Sequence, residues 1–325
     1  MDFEEATRRA DRARQNIRSA RDTDRRNALK SALRSYLRNH AVKYEAAYRE
    51  LGRQADAAAI EKAVSHLEIF EPDQSSIFCW RIPKRTGGFR VVYRLTPYGR
   101  MRQIILKEAI ECSSSFGEHL FLLKKRGRDR EAAQICEALR SGYRFGVSAD
   151  ICNAFPSANA LTILRNTPLP GPVIRNNLVY DSRRFRHDWK KEVAAGYTYE
   201  DLQWILPSEG SAGLIQGAAS SSVIFALLLN DLPATFSMDV RLFVYSDDIL
   251  VLARNEDERD AARAILERYI RTHPAGSFRM VVHEVDARSG FDRVGYGYRR
   301  SIMTEQTEIV PDSRKLVEVC FGVQV

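Results

Sequence analysis

Phe243-Val244-Tyr245-Ser246-Asp247-Asp248-Ile249-Leu250-Val251-Leu252 places two adjacent carboxylates between two apolar, β-prone runs. Such runs read as buried strands, and the Ser-Asp-Asp between them as the tight turn of a hairpin. Two like charges at the tip of an apolar hairpin are costly unless a cation neutralises them. Hard carboxylate oxygens favour Mg²⁺ or Mn²⁺ over softer metals. The stretch points to metal-assisted phosphoryl chemistry or, taken alone, to a solvated Asp-Asp turn in an ordinary hairpin.

Working outward, Phe145-Gly146-Val147-Ser148-Ala149-Asp150-Ile151 reads as a strand that delivers Asp150 at its end, with Phe155 five residues on and Pro156 turning the chain into a helix. Gly213-Leu214-Ile215-Gln216-Gly217-Ala218-Ala219-Ser220 opens an apolar helix to about Leu229, and its small residues allow a close backbone approach to something bound. Arg81 to Lys107 carries eight basic residues and no acidic one. Within it, a strand, Gly87-Gly88 and a second strand make a hairpin on which Lys84 and Arg90 supply charge for an anion. The charged run Arg183-Arg184-Phe185-Arg186 reads as a surface insertion among helices, and Tyr197–Trp204 as an aromatic helical segment. A helix over 255–271 and strands over 278–286 and 292–299 follow.

Residues 1–70 hold one glycine and no proline, and they predict two or three amphipathic helices broken near residues 21–24 and 51–52. Residues 1–60 carry 14 Lys+Arg against 9 Asp+Glu, which suits a solvated helical face and a nucleic-acid surface equally. The whole chain, at 325 residues and 44% hydrophobic, can bury a sizeable core, and its net charge of +8 suits an anionic partner such as nucleic acid. No apolar run approaches the roughly 18 residues of a membrane span. The acidic Met1-Asp2-Phe3-Glu4-Glu5 lacks an apolar signal core, so a cytoplasmic location is expected. Five scattered cysteines (Cys79, Cys112, Cys136, Cys152, Cys320) form neither a zinc pattern nor a disulfide framework.

The order of these pieces resembles the reverse transcriptases, especially bacterial retron-like and defence-associated ones, from about Arg81 to Arg300. Tyr245-Ser246-Asp247-Asp248 resembles the family's Tyr-x-Asp-Asp motif, and Asp150 with Phe155 resembles its first catalytic motif. Gly213–Ser220 resembles its Leu-Pro-Gln-Gly segment, with Ile215 in place of the proline. Ile82-Pro83-Lys84 through Arg90 to Gln103 resembles a fingers motif, and Val294-Gly295-Tyr296-Gly297-Tyr298 sits where the family has its primer-grip hairpin.

The resemblance implies an α+β right-hand polymerase fold. It comprises an N-terminal helical extension over 1–70, fingers over 71–145, and an antiparallel palm sheet backed by helices over 146–300. Residues 301–325 are too few for a three-helix thumb, which is expected to be absent or very reduced. The implied function is an RNA-directed DNA polymerase acting in anti-phage defence. Asp150, Asp247 and Asp248 are its catalytic carboxylates, and they hold two Mg²⁺ ions, or Mn²⁺ as a substitute, with the Ile151 carbonyl as an extra ligand. By the same resemblance, Lys84, Arg90, Phe155, Gln216 and Gly217 bind the dNTP, and Tyr245, Gly295 and Tyr296 face primer and template. An aromatic ring at Phe155 would fill the space of a ribose 2′-hydroxyl and select dNTPs.

The implied partners are dNTPs, an RNA template and a DNA product, with room for a structured non-coding RNA, an accessory protein or a homo-oligomer, and no membrane. Two other functions fit the same motifs. One is template-independent or protein-primed DNA synthesis, for which Tyr36, Tyr44 or Tyr48 could serve as primer. The other is a catalytically silent RNA-binding scaffold.

Overall fold

A computed structural model describes residues 2–52, 54–84, 87–165, 167–197, 213–300 and 307–311. In chain order it contains helices α1 (Phe3–Asp22), α2 (Arg26–Arg38), α3 (His40–Leu51) and α4 (Ala57–His66). Strands β1 (Ile77–Pro83) and β2 (Phe89–Leu95) then lead to α5 (Pro97–Ser113), α6 (Arg128–Arg140) and β3 (Phe145–Cys152). Next come α7 (Ala154–Ser157), α8 (Ala160–Leu164), α9 (Gly171–Leu178), β4 (Phe185–His187), α10 (Trp189–Ala194) and α11 (Ser221–Leu228). The chain continues with β5 (Arg241–Tyr245), β6 (Asp248–Ala253), α12 (Glu256–Thr272), β7 (Arg279–Asp286), β8 (Phe291–Arg293), β9 (Tyr296–Arg300) and β10 (Thr307–Pro311). The class is α+β, with a central antiparallel sheet.

Among the described residues the N-terminal region has four helices, not two or three. The extra break is Asn39, whose extended backbone ends α2 and whose side chain accepts the N–H groups of Ala41 (2.9 Å) and Val42 (3.3 Å). An asparagine cap needs neither glycine nor proline, so composition alone did not reveal it. Gly52 at φ 85° closes α3 as the sequence suggests.

The chain divides into two compact units. The first unit comprises Met1–Ser115 and Phe155–Phe225. Here α5 packs against α1, α2 and α3 around Ile17, Leu33, Tyr36, Leu37 and Ile105. A second core of Ile77, Cys79, Tyr93, Leu95, Tyr180, Phe185 and Ile215 lies under a sheet of order β2-β1-β4. The run Arg183–Arg186 is therefore not a loose insertion. Phe185 enters the core, and β4 pairs in parallel with β1 from Ile77↔Phe185 to Cys79↔His187. Glu192 of α10, fully buried, accepts from the Arg81 backbone at 2.8 Å and from its guanidinium at 3.0 and 3.2 Å, which ties this segment to β1. Of the expected aromatic helical segment near Tyr197–Trp204, residues 198–204 lie outside the described residues.

The second unit comprises Phe116–Ala154 and Ala226–Val325. Its four antiparallel strands run β5-β6-β3-β7, with β3 in the middle. β6 is buried from Ile249 to Ala253, as its uninterrupted apolar sequence requires. α12 packs across β3, β6 and β7. Phe121, Ile135, Leu139, Tyr143, Phe243, Leu250 and Tyr298 fill the core against α6. A smaller sheet of order β10-β9-β8 completes the unit. Most of the segment expected as a thumb remnant, 301–306 and 312–325, lies outside the described residues. Among the described residues, no helix is long and apolar enough to cross a membrane.

Candidate active site

The paired-aspartate hairpin forms as the sequence implies, with one refinement: the turn is Ser246-Asp247, and Asp248 already belongs to β6, opposite Tyr245. Ser246 takes the left-handed backbone at φ 62°, which lets so short a connection close. β3 runs antiparallel to β6 in a register that sets Asp150 opposite Asp248. The Ile151 N–H donates to the Asp247 carbonyl at 3.1 Å, extending this pairing into the turn. Three carboxylates separated by nearly a hundred residues of chain thus meet at the end of two central strands.

Their electrostatics are strained. Burial pushes the Asp247 carboxyl above the usual carboxylate range, and the charges of Asp150 and Asp248 push it the same way. Asp248 Oδ1 accepts from Arg293 Nη1 at 2.5 Å. Among the described residues, no three His, Cys, Asp or Glu side chains gather into a ready metal cage. What the site offers is a set of hard carboxylate oxygens, of which Asp248 is bonded to Arg293 and Asp247 is crowded by like charge. That chemistry fits Mg²⁺ or Mn²⁺ on Asp150 and Asp247, with the Ile151 carbonyl and Asp248 as further oxygens.

Of the residues proposed to face primer and template, Tyr245 packs against the core of this unit. Val294 and Gly295 form the two-residue β8–β9 turn, both at positive φ (48° and 85°). The Tyr296 hydroxyl donates to Asp129 Oδ1 at 2.5 Å, and burial together with that bond raises its pKa to about 12.

The nucleotide-facing candidates all belong to the other unit. Lys84 and Arg90 are exposed on the β1–β2 hairpin, with Ile82 opposite Arg90. Among the described residues neither has an ion-pair partner. The Gln216 carbonyl accepts from the Tyr93 N–H of β2 at 3.1 Å. A Cβ on Gly217, at φ 113°, would lie 2.5 Å from the Tyr93 carbonyl oxygen. The close approach expected of this segment is therefore made, and its partner is strand β2. Gly213 similarly leaves no room for a side chain against the carbonyls of Phe155, Pro156 and Ala158, and the Leu214 N–H donates to the Phe155 carbonyl at 2.9 Å. This strap fixes the backbone of Phe155, whose half-buried ring lies 5.3 Å from that of Phe225.

Two of the three tyrosines considered as protein primers are unsuited. Tyr36 and Tyr44 are buried, at 1% and 3% exposure, and the Tyr36 hydroxyl donates to Glu108. Tyr48 stacks on Phe3 with ring centroids 3.9 Å apart. Sequence inspection also passed over Arg293 and Glu131, because an arginine in a short strand and a glutamate in a helix's first turn look like surface residues.

The sequence profile of the family described as reverse transcriptase (RNA-dependent DNA polymerase) matches residues 82–276, more than half of the chain. The chain belongs to the reverse transcriptase family. All three aspartates of this reverse transcriptase, and every nucleotide-facing candidate, fall inside the matched span. No curated protein matches the sequence. Among solved structures, the apo telomerase of Candida tropicalis is similar at 13% identity and a TM-score of 0.46, covering 75% of this chain and 49% of that one. Its form truncated from the C-terminal domain is similar at 14% identity and 0.42, covering 74% and 56%. The chain spans about half the length of these telomerase chains.

Proposed function

We propose that this reverse transcriptase is an RNA-directed DNA polymerase that adds dNTPs to a primer 3′-hydroxyl at Asp150, Asp247 and Asp248. The observation that carries this is the register setting Asp150 opposite Asp248, with Ile151 bonded to the Asp247 carbonyl. Asp150 and Asp247 would hold two divalent cations, which when bound favour loss of the hydroxyl proton and neutralise the leaving pyrophosphate. The chain's own part is to keep these oxygens fixed on two central strands, so that little reorganisation accompanies the reaction. Lys84 and Arg90, exposed cations with no ion-pair partner among the described residues, would contact the triphosphate. Phe155, its backbone clamped by Gly213 and Leu214, would exclude a ribose 2′-hydroxyl. The proposed setting is cytoplasmic, with an RNA template, a DNA product and either a structured RNA or an accessory protein. A role in bacterial anti-phage defence is the one to which the resemblance to defence-associated members leads.

Primer extension on an RNA template with Mg²⁺ tests this. Asp150→Asn and Asp247→Asn should each lower nucleotide addition by about a thousandfold or more, the scale of a lost electrostatic stabiliser. Because Asp247 is strained by like charge, Asp247→Asn should also raise the melting temperature of the metal-free protein. Full biological activity of the Asp247→Ala/Asp248→Ala protein would remove the enzyme reading in favour of an RNA-binding scaffold. Labelled dNTPs without added nucleic acid test the alternative, since a ladder attached to the protein would mean protein-primed synthesis. Phe155→Ala should admit rNTPs, and unchanged dNTP/rNTP discrimination would count against the gate.

A further inference from the structure

Arg293, only 4% exposed, ends β8 and uses its guanidinium on three elements at once. Nη1 donates to Asp248 Oδ1 at 2.5 Å. Nη2 donates to the Asp248 and Phe243 carbonyls at 3.1 and 3.2 Å and to Glu131 Oε1 at 2.7 Å. Nε donates to the same Glu131 oxygen at 3.0 Å. Glu131, on the first turn of α6, is 1% exposed, and its Oε2 has no hydrogen-bond partner among the described residues.

A guanidinium placed only for cohesion would take both oxygens of the buried glutamate, the stronger bidentate arrangement. Here a buried carboxylate oxygen goes without a donor, which is costly, while the donor that could serve it reaches out to a half-exposed aspartate. The next residue, Val294, is held at φ 48°, a conformation that β-branched residues strongly resist. Two local costs are thus concentrated on fixing Asp248 and the start of the β8–β9 turn.

We propose that Arg293, backed by Glu131, is a positioning residue. It holds Asp248 by one carboxylate oxygen and by its backbone, neutralises that charge, and so reserves Asp150 and Asp247 for the cations. The proposal rests on the polymerase function above and adds to it a division of labour among the three aspartates.

The test pairs Mn²⁺ titration calorimetry on the nucleic-acid-free protein with single-nucleotide addition and melting temperature. In Arg293→Met, Asp248 becomes a free, uncompensated charge. Mn²⁺ should then bind about threefold or more tightly, while turnover falls about tenfold or more through misplacement and the KM for dNTP stays within about twofold. Arg293→Lys keeps the charge, so its Mn²⁺ affinity should stay near wild type and its turnover should fall less. In an Asp248→Asn background, Arg293→Met should leave Mn²⁺ affinity unchanged and lower turnover less than it does with Asp248 present, because the charge it compensates is already gone while its backbone contact remains.

A lower melting temperature with unchanged Mn²⁺ affinity would make Arg293 merely structural and overturn the proposal. So would effects of Arg293→Met and Asp248→Asn that simply multiply. Should Arg293→Met not fold, Arg293→Lys decides: turnover equal to wild type, or reduced turnover with a lower melting temperature, overturns the proposal, and reduced turnover at unchanged melting temperature and Mn²⁺ affinity upholds it. Failure of the polymerase reading looks different, because the wild-type protein would then incorporate no nucleotide while its Mn²⁺ titration still reported on Arg293.

Discussion

Arg14 in one compact unit and Arg293 in the other are both buried among carboxylates, and the two clusters are finished differently. In the helical unit, Arg14 donates to Glu108 Oε2 at 2.8 Å, to Asp11 Oδ1 at 2.6 Å and to Glu45. Glu45 and Glu108 there have further company: Arg49 reaches Glu108 Oε1 at 2.6 Å and also Glu45, and Tyr36 donates to Glu108 at 3.0 Å. Burial alone would lower the Arg14 pKa, but Glu108, Tyr36 and Glu45 outweigh it and hold it high. In the sheet unit, Arg293 has one saturated acceptor, one orphaned oxygen on Glu131, and one partner, Asp248, that is half exposed. A closed ion cluster stabilises a bundle, whereas an open one directs a side chain toward solvent and whatever binds there.

The strongest way to break this comparison is to remove Arg14. Arg14→Met leaves Glu45 and Glu108 buried with only Arg49 to compensate them. Stability should fall by about 3–5 kcal/mol, the cost of breaking a buried ion cluster by one partner. Nucleotide addition by the folded protein should stay within about twofold of wild type. Chemical denaturation and turnover, measured on the same preparation, separate the two effects. A large loss of turnover at unchanged stability would erase the distinction between the clusters.

The same bundle carries a third kind of arginine. Residues 25–43 hold Arg25, Arg26, Lys30, Arg34, Arg38 and Lys43 and no acidic residue. Arg26, Lys30 and Arg34 recur at four-residue spacing along α2, and among the described residues none has an ion-pair partner, while Arg8, Arg9 and Arg21 of α1 are paired. Like charges at this spacing weaken a helix by about 0.2–0.5 kcal/mol per pair, so their natural complement is a polyanion. Lys30→Glu/Arg34→Glu should weaken binding of a primed RNA template by about tenfold at 0.15 M salt and lower the logarithmic salt slope by about 1.5. An unchanged slope would reduce this face to a solvated one.

What the sequence made legible follows from locality. The hairpin Arg241–Ala253, the Asp150 strand and the Gly-Gly hairpin are encoded by uninterrupted β-prone runs, and all three formed. That Asp150 comes to lie opposite Asp248 was implied by the resemblance to the family's ordered motifs, not by either stretch alone. What escaped depends on tertiary partners. β4 is a strand because Phe185 finds the core beside Ile77, which nothing in Arg183–Arg186 announces. Arg293 and Glu131, 162 residues apart, look like surface charges until each is seen to bury the other. Gly217 was legible as a close approach but not as an approach to Tyr93, because a missing Cβ names no partner.

The smallest expected effect concerns a buried polar group in the sheet unit that has no counter-ion among the described residues. His119 is 8% exposed, and its Nε2–H donates to the Leu229 carbonyl at 3.0 Å. Burial lowers its pKa below the usual 6.5, and the Leu229 bond opposes this only in part. Above pH 6.5 the imidazole is neutral in both folded and unfolded chains and contributes no slope. Below it, the unfolded chain takes up a proton that the folded chain resists, so stability declines as pH falls toward the lowered folded value. Melting temperatures between pH 7 and pH 5 should therefore decline in wild type and decline less in His119→Gln, whose amide can still donate to Leu229. The Arg14 and Arg293 guanidiniums stay charged throughout that range, so the difference between wild type and His119→Gln isolates the imidazole. Identical pH profiles for wild type and His119→Gln would mean that the imidazole is hydrated in the folded protein and that its burial carries no electrostatic cost.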